Sequence, residues 1–463
     1  MDLRLSAEVA GAELGDARLA KRYEVLVDRI AERPEASLPK ALTVAELESA
    51  YRFVNNERVT LPGLLDPHIK QTVNRCASRE DVVVAHDTTE LKYTGEDREG
   101  LGRLRSTGRG FYLHVALAIG GSQDRDPLGV VAARTLVRGE KRANQRATIR
   151  RRAADKESRR WWEQVQEVES RLGVGRAIHV ADREADAYEF MTEVSRCGGR
   201  FVIRVRHDRR VDAGSGPAKL GGALQLARMV AEREVELSPR KLATTPISRR
   251  IHPPRKARTA KLEISAVRVQ FLRPKDSPVD WPATLAFNVV NVVEVDTPSG
   301  CDPVAWTLVT TELIETPEQI LSIVDAYRAR WVVEEYFKAL KTGCAIEKRQ
   351  NESLHALLNV LGLYIPVAWQ MLRLRILARS DDTLPAQQVM TDAQIQILRA
   401  HPRTRHLIGP NPTTRTALLA IAALGGHLKQ NGEPGWQTIG RGFHDLLLLE
   451  DGWLLNLAPG CDR

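Results

Sequence analysis

A segment near residue 330 carries the residue types from which a metal and phosphate site could be built. Tyr327, Arg330, Glu334 and Lys341 lie in YRARWVVEEYFKALK at offsets of three, seven and fourteen. On one helix, at about 100° per residue, these offsets place all four side chains within about 60° of one face. The carboxylate can ligate a metal ion, while arginine and lysine hold phosphate oxygens. An ordinary solvated helix face would show the same pattern.

Two aspartates follow short apolar runs. Residues 82–85 lead to Asp87, and residues 178–181 lead to Asp182. We expect each run to be a buried strand that ends near its aspartate, because the carboxyl ends of strands can converge on one metal site. With Glu334 they would supply three oxygen ligands. Each aspartate could instead form a turn or cap a helix, since a helix is predicted after Asp182.

The elements that would position these residues follow from hydrophobic periodicity and turn signals. Strands over 82–86, 111–119 and 128–137 predict an antiparallel meander. A helix over 156–172 comes next. A strand, helix and strand unit follows, formed by the run into Asp182, residues 185–196 and residues 201–206. Three antiparallel strands and then this unit give the order of a ribonuclease H-like sheet.

Residues 207–300 interrupt this order. They are rich in Gly, Pro and charge and include predicted strands over 262–269 and 284–295, which we interpret as an inserted domain. A strand over 306–310 then returns to the core. The helix that carries Glu334 completes the core, with Val333, Phe337 and Leu340 spaced as its buried face.

The first 70 residues show helical patterning with capping signals. Arg18, Lys21, Arg22 and Arg29 share one face of a predicted helix, and such a face can bind phosphates or enter a major groove. The pattern is also that of an ordinary surface helix.

The composition of the chain favours a protein that binds polyanions. The chain has 68 Lys and Arg against 59 Asp and Glu, a net charge of +9. Residues 141–160 hold nine basic and two acidic side chains, and residues 249–261 hold six basic and none acidic. These runs could track phosphates or be solvated surface segments.

Cysteine usage and hydropathy argue against several other classes of protein. Five cysteines form no C-x-x-C pair and are odd in number, which argues against a zinc cluster and a disulfide framework and implies a reducing cytosol. The longest apolar stretch, residues 356–369, predicts a buried helix too short to cross a membrane.

Taken together, these segments resemble the DDE transposases of bacterial insertion sequences, in particular the Tyr-Arg-Glu-Lys signature family that includes the transposon-five transposase. Asp87 in HDTTELKY matches the family's first catalytic aspartate, and Asp182 in DREAD matches the second. Glu334 in Y-x2-R-x3-E-x6-K matches the glutamate. The spacings of 95 and 152 residues agree, and the second leaves room for the strand-rich domain that this family inserts.

The resemblance implies an α/β fold: a ribonuclease H-like core, with a mixed sheet and flanking helices, that carries a strand-rich insertion. Residues 1–70 would be a helical end-binding domain, since LGDARLAKR and AYRFVNN resemble that part of the family. Residues 71–375 would be the catalytic domain, interrupted at about 207–300. Residues 376–463 would be helical and dimerising, because AIAALGGHLKQ followed by Trp436 resembles the family's C-terminal helices.

The function implied by the resemblance is cut-and-paste transposition. Two Mg²⁺ ions, replaceable by Mn²⁺, would be held by Asp87, Asp182 and Glu334. The enzyme would bind terminal inverted repeats, cleave through a hairpin intermediate and join the 3′-OH ends to target DNA. A homodimer would bring the ends together in the bacterial cytoplasm, associated with the nucleoid and without a membrane.

The resemblance also assigns roles around the reacting phosphate. Tyr327, Arg330 and Lys341 would contact the DNA strand. Trp306 stands 21 residues before Tyr327, as does the family tryptophan that helps to stack a flipped base. Without the resemblance, Trp306 at a strand start would be interpreted as a core residue.

Further contacts are implied in the N-terminal domain. Arg18, Arg22 and Arg52 would grip the terminal repeat. Tyr51 and Arg52 in AYRF match a family motif, although Tyr51 and Phe53 could equally be core residues.

Two other functions are compatible with parts of the sequence. A decayed relative could bind DNA and inhibit active protein, although all three carboxylates are present. A phosphatase of the aspartyl-phosphate type could use Asp87, but Thr89 occupies the position of its second aspartate.

Overall fold

The structure is a computed structural model and describes residues 5–94, 98–121, 125–139, 157–214, 216–225, 227–237, 254–380, 384–428 and 433–457. The chain forms two compact units. The first unit comprises Met1–Asn144 and Trp331–Arg463, and the second unit comprises Gln145–Arg330.

The first unit begins with five helices, as the helical patterning predicts. They are α1 (Ser6–Val9), α2 (Ala17–Glu32), α3 (Leu38–Ala41), α4 (Val44–Val54) and α5 (Leu61–Ala77). Side chains cap the longer ones: Asp16 accepts a hydrogen bond from the Arg18 amide, and Thr43 forms a capping box with Glu46. The buried face of α2, which includes Tyr23 and Leu26, leaves the basic side chains on the opposite, exposed face.

A meander follows, and the prediction of three long antiparallel strands is confirmed. The strands are β1 (Val82–Tyr93), β2 (Gly102–Arg103), β3 (Arg109–Gly120) and β4 (Asp126–Leu136). Strand β3 pairs with each of the others. The expected position of Asp87 at the end of its strand is wrong, because β1 continues to Tyr93. Asp87 lies inside the ladder opposite Val115. Backbone hydrogen bonds to β3 hold the polar second half of β1 in the sheet.

The second unit contains the predicted strand, helix and strand arrangement. Its first elements are α6 (Arg159–Leu172), β5 (Ala177–Ala181), a 3₁₀ turn (Arg183–Ala185), α7 (Tyr188–Arg196) and β6 (Arg200–Arg204). Strands β5 and β6 are parallel, which confirms the prediction. Strand β6 ends before Arg206 because the amides of Arg206 and His207 bond to Asp186 instead, at 2.7 and 2.9 Å.

The inserted region is rich in strands, as expected. It contains β7 (Arg210–Asp212), β8 (Pro217–Lys219), α8 (Leu220–Leu224), β9 (Arg228–Leu237), β10 (Arg258–Leu272) and β11 (Thr284–Val295), and is followed by β12 (Ala305–Thr310) and α9 (Pro317–Ala329). Strand β12 pairs with β6 and with β11, and β10 pairs with β11. The insertion therefore extends the sheet of β5 and β6, over a core that includes Phe201, Phe287 and Val309.

The chain returns to the first unit through helices. They are α10 (Trp331–Lys338), a π-helical turn (Ala339–Gly343), a 3₁₀ turn (Ile346–Lys348), α11 (Leu354–Ser380), a second 3₁₀ turn (Ala386–Gln388), α12 (Asp392–Ala400), α13 (Thr414–Leu424) and α14 (Trp436–Leu457). Side chains of α11 to α14 form a common core that includes Leu398, Leu418 and Leu446.

The expectation of one regular helix through the Tyr-Arg-Glu-Lys segment is wrong. Helix α9 ends at Ala329, and the Arg330 amide donates to the Tyr327 carbonyl three residues back, at 3.1 Å. The π-helical turn after α10 has more residues per turn, so Lys341 does not follow the spacing of 100° per residue. The predicted core face is confirmed, since Val333, Phe337 and Leu340 are buried.

The predicted buried helix is confirmed, but the prediction that it is too short to cross a membrane is wrong, because the helix continues beyond its apolar run. Among the described residues, Leu354–Arg379 alone is long and apolar enough to cross a membrane, and 89% of its most apolar window is buried inside the protein. Asn359 in this helix donates to the carbonyls of Val54 and Val59, at 2.9 and 2.8 Å. Burial against protein is the pattern of a core helix.

Candidate functional site

Asp182 lies directly after β5, and the structure gives its carboxylate a partner from α9. The Tyr327 hydroxyl donates to Asp182 Oδ1 at 3.1 Å, across 145 residues of sequence. Helix α9 packs against β5 and β6, which places the tyrosine beside the strand end. The Asp182 side chain does not cap the 3₁₀ turn that follows it. The N-cap alternative is therefore wrong for this residue.

Tyr327 is buried and its phenol remains a hydrogen-bond donor. Burial raises the pKa of Tyr327 to about 12, and the negative charge of Asp182 acts in the same direction. The hydroxyl is therefore protonated throughout the neutral range. Arg330 is also buried, with its guanidinium carbon 5.8 Å from the centre of the Tyr327 ring.

Trp306 contacts the same tyrosine. The two ring centres are 5.7 Å apart and the planes meet at 61°, an edge-to-face contact. Trp306 lies on β12 and is only half-buried, so it is not enclosed in the core of the second unit. The structure thus brings Trp306, Tyr327, Arg330 and Asp182 together within this unit.

Arg204 belongs to the same group and was missed in the sequence. It ends β6, and its Nη1 lies 3.9 Å from Asp182 Oδ1. Its Nη2 donates to the Ala305 carbonyl at 3.0 Å, which orients the guanidinium. The sequence contains one signal for Arg204. It is a cation at the carboxyl end of the strand that is predicted to pair with the strand before Asp182.

In the first unit, Asp87 and Glu334 lie on elements that pack together. Asp87 is on β1, Glu334 is on α10, and α10 packs against β1. Both side chains are half-buried. Asp87 Oδ1 accepts a hydrogen bond from the Thr88 amide at 2.7 Å, and the Thr88 hydroxyl is bonded to His114 Nδ1 at 2.8 Å.

Lys341 lies in the π-helical turn of the first unit. Its Nζ is 3.8 Å from Glu347 Oε1, and the same oxygen accepts the Lys92 amide at 2.8 Å. Trp331, the first residue of α10, is 57% exposed, which is unusual for so large an apolar side chain. Trp331 is a residue near the site that the sequence pattern does not predict.

The carboxylates suit a hard divalent cation by donor type. Among the described residues, no group of three or more His, Cys, Asp or Glu side chains is placed to hold a metal ion. Asp87 and Glu334 belong to the first unit and Asp182 to the second. Carboxylate oxygens are the ligands that Mg²⁺ and Mn²⁺ take, so all three residues fit such an ion chemically.

The basic face predicted near the N-terminus is confirmed as a surface of α2. An open groove of about 410 Å³ lies along it, lined by Arg18, Lys21, Arg22, Val25, Leu26, Arg29 and Glu46. Arg18 is 93% exposed and pairs with Asp16, while Arg29 pairs with Glu32 and Glu46. Such exposed pairs are weak, so phosphates can compete for the arginines.

The structure distinguishes the two interpretations of AYRF, a DNA-binding motif and a set of core residues. Tyr51 and Arg52 are exposed on α4, whereas Phe53 is a core residue. Residues 141–156 of the first basic run and 249–253 of the second lie outside the described residues, as does the end of AIAALGGHLKQ.

The geometry defines a class of protein. A carboxylate at a strand end, held by a tyrosine and flanked by arginines, suits phosphoryl transfer, and the exposed basic helix suits DNA. The transposase DNA-binding family matches residues 3–59, and the transposase DDE domain matches residues 147–365. Together the matches cover more than half of the chain.

The chain is a DDE transposase with a transposase DNA-binding domain, an enzyme that cleaves DNA and transfers strands. It binds transposon DNA. The DDE domain implies a ribonuclease H-like core and the use of divalent metal ions.

Proposed function

We propose that this transposase works by cut and paste through a hairpin intermediate, as a member of the Tyr-Arg-Glu-Lys signature family. The observation that carries the proposal is the arrangement around Asp182. Tyr327 donates to its carboxylate, Arg204 lies beside it, and Trp306 and Arg330 contact the tyrosine ring. Residues of the signature therefore lie close to the second aspartate of the motif, although the two segments are far apart in sequence.

The proposed metal ligands are Asp87, Asp182 and Glu334. Two bound Mg²⁺ ions, or Mn²⁺ in their place, would supply activation of the attacking oxygen and stabilisation of the leaving oxygen in an in-line displacement. Tyr327 fixes one oxygen of Asp182 and keeps its own proton. Asp87 is held by the amide of Thr88.

The cations are proposed to hold the phosphates of the strand that reacts. Arg204 and Arg330 are arginines, which can bind phosphate oxygens in a bidentate manner, and Lys341 adds a point charge. Arg330 is buried and stacked on Tyr327, so its guanidinium has little conformational freedom to lose when a phosphate binds.

The hairpin step requires a base to leave the helical stack. A half-buried Trp306 offers an aromatic surface beside Tyr327, and the exposed Trp331 offers another in the first unit. Stacking a base on an aromatic side chain contributes about 1–3 kcal/mol, which offsets much of the cost of unstacking.

The DNA-binding domain is proposed to grip the terminal inverted repeats through the groove of α2, with Arg18 and Arg22, and through Arg52 on α4. A synaptic homodimer would hold two ends, and the freed 3′-OH groups would be joined to target DNA. The proposed setting is the bacterial cytoplasm, where the protein would be associated with the nucleoid.

The test compares the unmodified protein with Glu334→Gln on a duplex that carries the element's terminal repeat, with Mg²⁺. We expect nicks and hairpins on a denaturing gel from the unmodified protein, and binding without cleavage from Glu334→Gln. The matched control is Glu335→Gln, which removes the neighbouring carboxylate that pairs with Lys338 and Arg375.

Each other outcome contradicts one part of the proposal. Nicking by Glu334→Gln would refute the metal assignment. Nicks without hairpins would refute the hairpin route. Binding without cleavage by the unmodified protein would favour an inhibitor of transposition.

A further inference from the structure

A small arginine-rich hairpin projects from the meander of the first unit. Strand β2 (Gly102–Arg103) pairs with the start of β3, and the turn is closed by the Leu104 amide, which donates to the Gly108 carbonyl at 3.2 Å. Residues 102–110 form this element, which we call the arginine hairpin. Its exposed side chains include Arg103, Arg105 and Arg109.

Cations lie close together on the arginine hairpin. Arg103 and Arg109 are directly opposite each other in the ladder. The Lys92 side chain lies against Gly108 and adds a fourth cation. A cluster of exposed cations is complementary in charge to a row of phosphates.

The neighbouring carboxylate, Glu90, holds the backbone of the turn. It accepts the Arg105 amide at 3.0 Å and the Ser106 amide at 3.3 Å, and it also bonds the Ser106 hydroxyl. The turn is thereby fixed in shape. The two residues at its tip, Ser106 and Thr107, have small side chains, so the neighbouring arginines can approach phosphate oxygens.

The hairpin is connected to the proposed active site by a continuous strand. In the β1 and β3 ladder, Asp87 is opposite Val115 and Tyr93 is opposite Arg109. Six residues of strand separate the two positions, which is roughly 20 Å at about 3.3 Å per residue. A DNA strand spans that distance in about six nucleotides, since phosphates rise about 3.4 Å per step along one strand.

We propose that the arginine hairpin binds the phosphate backbone of target DNA, about six nucleotides from the phosphate that is attacked. The inference rests on the proposed function and adds a surface to it. A target duplex does not carry the terminal repeat that the DNA-binding domain is proposed to grip, so its binding needs contacts elsewhere on the protein. Contacts to phosphates bind DNA without reading its sequence, and the exposed arginines on a fixed turn can supply such contacts.

The experiment uses the full chain with Arg103→Gln and Arg105→Gln combined. The control is Arg228→Gln with Lys275→Gln, two exposed basic residues that lie outside the proposed site and outside the segment predicted to dimerise. Two measurements are made: binding of an arbitrary duplex to the complex with pre-cut ends over a range of salt, and the ratio of integration to end cleavage.

We expect the hairpin variant to cleave ends at the normal rate and to integrate roughly tenfold less. The dependence of log K on log salt should become shallower by about 1.8, which is about 0.9 for each lost phosphate contact. The control pair should leave both quantities unchanged. The variant should fold normally, because both replaced side chains are exposed.

Two results would overturn the inference: unchanged salt dependence in the hairpin variant, or equal losses of end cleavage and integration, which would assign the surface to the transposon end. The salt titration needs no catalysis. It therefore decides the inference even where the unmodified protein fails to cut, a result that would count only against the proposed function.

Discussion

At the scale of single residues, the contacts of Tyr327 account for a phenol at a position where a phenylalanine would pack equally well. The ring is edge-on to Trp306 and beneath Arg330, while the hydroxyl holds Asp182 Oδ1 at 3.1 Å. A hydrogen bond to a charged acceptor contributes about 1.5–3 kcal/mol. The tyrosine therefore positions a proposed metal ligand, and its own proton is retained.

Tyr327→Phe should slow end cleavage roughly ten- to a hundredfold, in line with the loss of that hydrogen bond. The ratio of the two rates should be the same at pH 7 and pH 9, because a pKa of about 12 keeps the hydroxyl protonated at both. Nicking rates measured at the two pH values check this. Tyr188→Phe is the control, since it removes a hydroxyl that donates to the Pro282 carbonyl in the same unit.

A change in that ratio between the two pH values would show that Tyr327 titrates, and an equal loss in Tyr188→Phe would show a general effect on the fold.

The residue types of the site could be predicted from the sequence, but not all of their surroundings. Asp182 and Tyr327 were selected for one site, and they are hydrogen-bonded. Arg204 was missed because an arginine at a strand end has no periodic signal of its own. The burial of Arg330 was also hidden, since a polar residue on a helix is expected to be solvated until tertiary contacts are known.

At the scale of elements, strands with alternating apolar residues were predicted well. Strand β11 has the predicted bounds, Thr284–Val295, because apolar residues recur along its buried side. Strand β1 was cut short in the prediction, since its second half is polar and is fixed by pairing with β3. The π-helical turn was not predicted, because it depends on packing rather than on local propensity.

The junction of β1, β2 and β3 depends on a residue without a side chain. A Cβ at Gly110 would lie 1.9 Å from the Leu91 carbonyl oxygen, so Gly110→Ala should force the strands apart. We expect a loss of about 1–3 kcal/mol in the free energy of unfolding, measured by denaturant titration. Gly139→Ala is the control, because nothing lies within 4 Å of its added Cβ.

Equal stability of the Gly110→Ala protein would mean that the ladder can shift without cost at this point.

At the scale of the whole molecule, a buried ion network anchors the N-terminal helices in the first unit. Glu8 on α1 accepts Arg75 through two nitrogens and contacts His68 Nδ1 at 2.6 Å. His68 Nε2 accepts the Val130 amide from β4 at 3.0 Å. Burial lowers the pKa of His68. Burial alone would raise the pKa of Glu8, but the bonds from His68 and Arg75 together lower it.

Both lowered pKa values make the folded state less stable at acid pH. His68 has a lowered pKa in the folded state, so its contribution is complete above the usual value of 6.5 and declines as the pH falls below it. We expect the melting temperature to fall between pH 7.5 and pH 5.5, and to fall less in His68→Gln. Thermal melts at both pH values check this, with the exposed His207→Gln as control.

If the melting temperature fell equally in the unmodified protein and in His68→Gln, the acid sensitivity would come from other groups. Glu8 acts at lower pH, because its contribution is lost only as the pH falls below the usual carboxyl value of 4.5.

The position of Asp87 inside a long ladder has a consequence for conformational entropy. Its backbone is paired with β3 on both sides of the residue, so its freedom is lost when the sheet forms. Asp182 follows a strand of five residues and precedes a 3₁₀ turn, and its carboxylate is held by the Tyr327 hydroxyl. The two proposed ligands thus lose their freedom in different ways, Asp87 through the backbone ladder and Asp182 through a side-chain hydrogen bond. Loosening β1 would then slow catalysis, since the ligand would have to be ordered in every cycle.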